Sequence, residues 1–379
     1  MFEFATAGRI IFGRGTLKGL AHLAPTFGRR ATVVTGRNAE RAKPILELLG
    51  KVGVDAATIS ISGEPQTSTV QQGVERAREF GTEFVIGFGG GSAIDAAKAI
   101  AALLTNHGDI FDYLEVIGKA QPLKHTPLPC IAIPTTAGTG AEVTRNAVLL
   151  SPEHRAKVSL RHAMMLPRVA ILDPQLTDSL PPAMAASTGL DALTQLIEPY
   201  VSARANPVTD AVCIEGMKRA RSLRRACVNE STARDDMCVA SMFGGMALAN
   251  AGLGAVHGFA APIGGMFDAP HGAVCAALLP YAMEINLRAL RERGPATIAL
   301  RFEEVARILT ENPQARAEDG ITWVSQLCRD LQIPPLRPYG IAEEHVDELC
   351  ERASVSSSMK ANPVVLTKIE LRELLTRAL

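Results

Sequence analysis

Two histidines, each followed by glycine, stand 14 residues apart in a glycine-rich stretch: His257-Gly258 and Pro270-His271-Gly272. Upstream, Gly189-Leu190-Asp191-Ala192-Leu193-Thr194-Gln195-Leu196-Ile197-Glu198 has helical spacing, which sets Asp191 and Gln195 at i and i+4 on one face. One carboxylate and two imidazoles are donors suited to a borderline divalent metal, with a position left open for a substrate. A plainer role is also open, because a scattered pair of histidines is more often structural. Cys275 follows His271 by four residues and should share its helix, so it could face the site, although packing is the role more expected of it.

A second kind of chemistry is suggested by glycines. Gly89-Gly90-Gly91-Ser92-Ala93-Ile94-Asp95-Ala96-Ala97-Lys98 follows an apolar run and opens a helical pattern. Bare amides and the positive end of a helix dipole attract phosphate, and glycine lets the backbone approach it. Ser92 and Asp95 read as a capping box. The run is not the G-x-G-x-x-G fingerprint, since Ser92 falls where the last glycine would be. Alone it would be a tight strand-to-helix turn.

Its context changes the reading. Pro134-Thr135-Thr136-Ala137-Gly138-Thr139-Gly140-Ala141-Glu142-Val143-Thr144 also follows an apolar run, and Thr135, Thr136 and Thr139 offer hydroxyls suited to a pyrophosphate and a ribose. Two such loops after parallel strands place a nucleotide at the carboxyl edge of a sheet. The turn expected to meet the adenosine ribose is Gly36-Arg37-Asn38. It has no acid to bind both ribose hydroxyls, and it has an arginine able to pair with phosphate, which favours NADP(H) over NAD(H). The plainer alternative is that Arg37 is a solvated surface side chain.

These residues need elements to position them. Before about residue 180, short β-branched runs alternate with helical patterns: strands at 31–35, 56–61, 83–88, 130–134 and 169–172, with helices near 39–50 and 70–80. Such alternation indicates a parallel sheet covered by helices. After Pro181-Pro182 the strand signals fade and Ala-, Leu- and Met-rich helical spacing runs to the end. The expected organisation is an α/β dinucleotide-binding domain over 1–180 and an all-helical metal and substrate domain over 181–379. The cleft between two such domains is the default ligand site.

Composition removes other classes. The 379 residues carry 39 Lys+Arg against 39 Asp+Glu, so the basic surplus of a nucleic-acid binder is missing. Aromatics at 4% leave little for base stacking. No run of 18 apolar residues suggests a membrane span, and the start has no signal-peptide pattern. Seven scattered cysteines without a CxxC read as reduced thiols, so a cytoplasmic location is expected.

Over nearly its full length the chain resembles the iron-containing (group III) alcohol dehydrogenase family. The resemblance lies in Gly8-Arg9-Ile10-Ile11-Phe12-Gly13-Arg14-Gly15, the Gly-Gly-Gly-Ser loop, the Pro-Thr-Thr-Ala-Gly-Thr-Gly loop, Lys157…Pro167…Leu172-Asp173-Pro174, the Asp191 helix and the two histidine motifs. It implies a dehydroquinate synthase-like architecture and hydride transfer between a nicotinamide and a small alcohol or its aldehyde or ketone. It further implies Lys157 near the cofactor and a homodimer. The family's metal ligands fall on Asp191, position 195, His257 and His271. Position 195 is Gln195 where the family has histidine, and Ala261 stands where many members carry another histidine. Two readings follow. In the preferred one, Asp191, His257 and His271 hold Fe²⁺ or Zn²⁺ with Gln195 as a weak or outer ligand. In the other there is no metal, and His257 or His271 polarises the substrate directly. The functional alternatives are an oxo-acid reductase resembling maleylacetate reductases, and a nucleotide-binding protein that has lost catalysis.

Overall fold

Six short apolar runs pair as one parallel sheet in the computed structural model, which describes all 379 residues. They are β1 (Ile10–Phe12), β2 (Arg30–Gly36), β3 (Asp55–Ile61), β4 (Phe84–Gly89), β5 (Cys130–Pro134) and β8 (Val169–Leu172), in the order β1-β8-β5-β4-β2-β3. Every pairing is parallel. β4, β5 and β8 are buried at every residue, as expected when helices cover both faces. Side chains alternate across the sheet: Val33, Phe84 and Ile86 pack into one apolar layer, Val34 and Val85 into the other.

β2 has β3 on one side and β4 on the other, so strand order reverses between β2 and β4. A second element, absent from the strand pattern, is the antiparallel hairpin of β6 (Asn146–Ser151) and β7 (Ala156–Arg161). These strands belong to a unit comprising Thr6–Thr136 and Gly140–Ser179.

The other unit comprises Met1–Ala5, Ala137–Thr139 and Leu180–Leu379. From Pro182 onward its elements are all helical. The helix Pro182–Val201 is buried all round from Gly189 to its end, which makes it a core helix. The helix His271–Arg293 is long and apolar enough to cross a membrane, but 78% of its apolar window is buried inside the protein. That burial makes it a core helix as well.

Candidate active site

The α/β unit gathers three of the sequence-predicted loops. Gly36 ends β2 and Gly89 ends β4, in adjacent strands whose register pairs Thr35 with Phe88. β5 follows, with Pro134 opposite Gly89, and the Thr135 N–H donates to the Gly89 carbonyl at 2.8 Å. Gly36-Arg37-Asn38, Gly89-Gly90-Gly91-Ser92 and Thr135-Thr136 therefore leave one end of the sheet side by side. That end, at the reversal of strand order, is where open α/β sheets bind nucleotides.

The glycines there have different duties. A Cβ on Gly89 would lie 2.7 Å from the Ala93 Cβ, so Gly89 lets the helix Gly91–Thr105 pack on its strand. Gly90 has a φ of −75°, which any residue adopts, and a Cβ there would meet only Thr136, at 3.4 Å or more. The fold does not require this glycine. It leaves a bare amide at a helix N-terminus beside a hydroxyl, as a bound phosphate requires.

The Ser92–Asp95 capping box does not form. Gly90 is the N-cap and no side chain caps it, because the helix begins two residues earlier than the box would have it. Asp95 instead accepts the Val148 N–H at 3.0 Å and pairs with buried Lys98 at 2.9 Å, tying the helix to the hairpin. Burial raises the Asp95 pKa against the pull of Lys98. Lys98 also donates to the Ala141 carbonyl and the Thr144 hydroxyl, both at 2.9 Å, which orders the threonine-rich loop. Glu142 in that loop is buried, and burial pushes its pKa up to about 7.

Arg37 is exposed, its Nε donating to the Ser62 hydroxyl at 3.0 Å. The Asn38 Oδ1 accepts the Glu40 N–H at 3.1 Å and so caps the next turn. The buried Lys157 ammonium meets Glu64 at 2.7 Å. Thr139 lies in the stretch that groups with the helical unit.

The helical unit builds the second cluster. The helix Pro182–Val201 carries Asp191, Gln195 and Glu198, at i, i+4 and i+7. His257 lies in the first turn of the helix Ala255–Met266, while His271 and Cys275 occupy successive turns of His271–Arg293. Two close approaches bring these helices together. A Cβ on Gly272 would sit 2.5 Å from the Ser187 carbonyl oxygen, and one on Gly254 would sit 2.9 Å from Glu198 Oε1 and 2.8 Å from Asn362 Oδ1. Glycine at these places lets the helices carrying His271 and His257 close on the helix carrying Asp191.

The geometry is that of a donor nest. Asp191 Oδ1 lies 3.3 Å from His257 Nε2 and 3.7 Å from His271 Nε2. Cys275 Sγ lies 3.8 Å and 3.7 Å from the same two nitrogens. One donor atom from each of the four residues lies within 4.8 Å of every other. Asp191 Oδ1 is buried yet makes no hydrogen bond, an arrangement that costs free energy unless a cation satisfies the oxygen. The residues thus fit a divalent metal.

Glu198 went unseen in the sequence, and Cys275 was given the lesser of two roles. Cys275, expected chiefly in packing, is a member of the cluster, as its i+4 spacing from His271 allowed. Glu198 accepts a hydrogen bond from His257 Nδ1 at 2.7 Å, and its other oxygen accepts the Val256 N–H at 2.7 Å. When the ring is neutral, this leaves the Nε2 lone pair of His257 facing the cluster. Gln195 is buried, and its Oε1, beside Gly244, has no hydrogen-bond partner.

Burial alone would raise the Asp191 pKa, but the two imidazoles overcome it and hold the carboxyl below its ordinary value. Burial also opposes charge on His257, yet the Cys275 sulfur, Asp191 and Glu198 raise its pKa well above ordinary; His271 is raised too, by Cys275 and Asp191. The pocket is built to hold positive charge.

Residues 7–174 match the family "Iron-containing alcohol dehydrogenase", and residues 185–379 match "Fe-containing alcohol dehydrogenase family, C-terminal". This chain belongs to the iron-containing alcohol dehydrogenase family. It is 33% identical to the 1,3-propanediol dehydrogenase of Klebsiella pneumoniae, over 96% of this chain and 95% of that protein. The structure of a 1,3-propanediol oxidoreductase superposes with a TM-score of 0.93 at 31% identity, covering 100% of both chains. That of the sulfoacetaldehyde reductase from Bifidobacterium kashiwanohense in complex with NAD⁺ has a TM-score of 0.87 at 28% identity, covering 99% of this chain and 98% of that one. As a member of the iron-containing alcohol dehydrogenases, the chain is an oxidoreductase interconverting alcohols and aldehydes. The family implies a nicotinamide dinucleotide and an iron or other divalent metal for it.

Proposed function

We propose that this iron-containing alcohol dehydrogenase homologue acts on short alcohols and aldehydes carrying a second polar group, prefers NADP(H), and uses a divalent metal held by Asp191, His257 and His271. The observation that carries the metal is the buried Asp191 Oδ1, unbonded and facing two imidazole nitrogens. The substrate class is supported by the similarity to proteins named for 1,3-propanediol and sulfoacetaldehyde. The cofactor preference is supported by Gly36 and an exposed Arg37 at the end of β2, where no carboxylate would repel a 2′-phosphate.

When bound, the metal supplies Lewis acidity toward the substrate oxygen. The chain's own residues do the rest. Asp191 contributes a negative oxygen from a buried helix, so its position is rigid. Glu198 holds the Nδ1 proton of His257 and keeps the opposite nitrogen free to donate its lone pair. His271 is 31% exposed, against 6% for His257 and 2% for Asp191, so the cluster is reached from its side. Gly90 would offer its amide, and Thr135 and Thr136 their hydroxyls, to the cofactor's phosphates, with Ser92 in the first turn behind them. All seven cysteines are free, which supports a reducing compartment such as the cytoplasm. A homodimer remains our reading from the family resemblance, to be checked by light scattering.

The test is a panel of short aldehydes with NADPH and NADH, before and after exhaustive chelation. Turnover should fall on chelation and return with Zn²⁺ or Fe²⁺, and His271→Ala should lose both metal and rate. Full turnover by metal-free protein would instead make the histidines act directly on the substrate. An NADH preference in kcat/KM of about tenfold, or ~1.4 kcal/mol, would overturn the cofactor assignment.

A further inference from the structure

We propose that Cys275 is a thiolate ligand of the metal, so that Asp191, His257, His271 and Cys275 form a four-donor site of one oxygen, two nitrogens and one sulfur. This rests on the reading above that the cluster holds a divalent ion. It departs from the ligand set that the family resemblance implies, in which position 195 supplies a third imidazole; here that residue is Gln195.

Three observations carry it. The first is spacing. Donors bound about 2.0–2.3 Å from one ion at tetrahedral angles lie about 3.3–3.6 Å from each other. The sulfur stands 3.8 Å and 3.7 Å from the two imidazole nitrogens, and the Asp191 oxygen stands 3.3 Å and 3.7 Å from them. Four edges of the donor polyhedron are thus within a few tenths of an ångström of a tetrahedron around one ion. The second is the direction of the lone pairs. Because His257 Nδ1 is bonded to Glu198, its Nε2 faces the sulfur and the carboxylate as an acceptor. The third is the orphaned Asp191 Oδ1, buried at the centre of these contacts. That oxygen marks where the ion would sit, and the sulfur lies against the same two imidazole nitrogens that flank it.

Cys275 binds by losing its thiol proton to solvent and donating a sulfur lone pair. Asp191 and the thiolate then carry two negative charges, which balance a divalent ion; an imidazole in place of sulfur would leave one net positive charge. Sulfur also changes which metal is favoured. A soft thiolate suits Zn²⁺ better than it suits a harder ion, so this site should favour Zn²⁺ over Fe²⁺ more than an all-oxygen-and-nitrogen site does.

The experiment is optical titration of the chelator-stripped full chain with Co²⁺. A stoichiometric complex should show visible d–d bands together with a near-ultraviolet sulfur-to-cobalt charge-transfer band. Cys275→Ser should keep the d–d bands and lose the charge-transfer band, while Cys213→Ser keeps both. Loss of a residue that only hydrogen-bonds to a metal ligand already costs about 10–100-fold in affinity, so removing the thiolate itself should weaken Zn²⁺ binding at least about tenfold. It should also narrow the preference for Zn²⁺ over Fe²⁺. Bound Co²⁺ with d–d bands but no charge-transfer band in the parent would overturn the thiolate and leave the metal reading intact. A charge-transfer band that survives Cys275→Ser would do the same. No Co²⁺ binding at all would remove the metal reading and this proposal with it. Should Cys275→Ser fail to fold, cadmium NMR of the unsubstituted protein decides, since the shift of bound cadmium reports whether sulfur is among its ligands.

Discussion

Glu198 does two jobs with its two oxygens, one on His257 Nδ1 and one on the Val256 amide. A carboxamide at this position puts an NH2 group where one of the two oxygens stands, so one of these hydrogens loses its acceptor. Glu198→Gln should therefore lower Zn²⁺ affinity about 10–100-fold, measured against a competing chelator, because the imidazole loses the partner that orients it. Unchanged affinity with a lower melting temperature would reduce Glu198 to a helix cap. Glu142 gives a pH dependence whose sign can be worked out. Its folded pKa, about 7, lies above the ordinary 4.5, so the folded chain holds this proton more tightly than the unfolded one. The stability it contributes is fully present below pH 4.5, is lost as pH rises toward about 7, and is flat beyond. Glu142→Gln stays neutral throughout. It should gain stability relative to the parent between about pH 5 and pH 8, with a ceiling of about 3 kcal/mol. Thermal melts of both proteins across that range would show a constant difference if the carboxyl titrates normally.

At the scale of elements, the site depends on how closely helices cross. Gly272 brings His271–Arg293 against the Ser187 backbone, where a methyl group would sit 2.5 Å from a carbonyl oxygen. Gly272→Ala should push that helix away, carrying His271 and Cys275 off Asp191, at a cost of about 1–3 kcal/mol. Both urea midpoint and metal affinity should fall. Gly258→Ala is the contrast, because its Cβ would meet the flexible end of Met359 at 2.7 Å, with no other atom nearer than 3.5 Å. It should be tolerated, and equal losses in the two variants would refute the helix-crossing argument. The strands at β2, β4, β5 and β8 were legible because buried parallel strands read as apolar runs, and β3, at the sheet edge, through its β-branched residues. The β6–β7 hairpin was not. Each of its strands is only partly buried, and its partner is the Gly91–Thr105 helix with its Asp95–Val148 tie, a contact that no local pattern announces.

At the scale of the molecule, the Gly36-Arg37-Asn38 turn, the Gly89–Ser92 run and Thr135-Thr136 belong to one unit and the donor cluster to the other, so the two should fail separately. Gly90→Val fills the space beside Thr136 without forcing the backbone, so the protein should fold, keep its Co²⁺ spectrum and lose NADPH binding in titration calorimetry. Undiminished NADPH affinity would make the Gly-Gly-Gly run a turn and nothing more. Local sequence was enough for the α/β-then-helical architecture, the phosphate-suited loops, the Asp191 face and the two His-Gly pairs. Each of these is set by periodicity, backbone freedom or residue type within a few neighbours. Strand order was decided only by the folded chain, and it places Gly36 beside Gly89. So was the membership of Glu198 and Cys275 in the site. Both depend on packing between segments far apart in sequence, where a glycine opposite a distant carbonyl sets the approach of two helices. A cysteine four residues after a histidine reads as core in sequence, and becomes a candidate ligand only when an unbonded carboxylate is brought against the same two imidazoles.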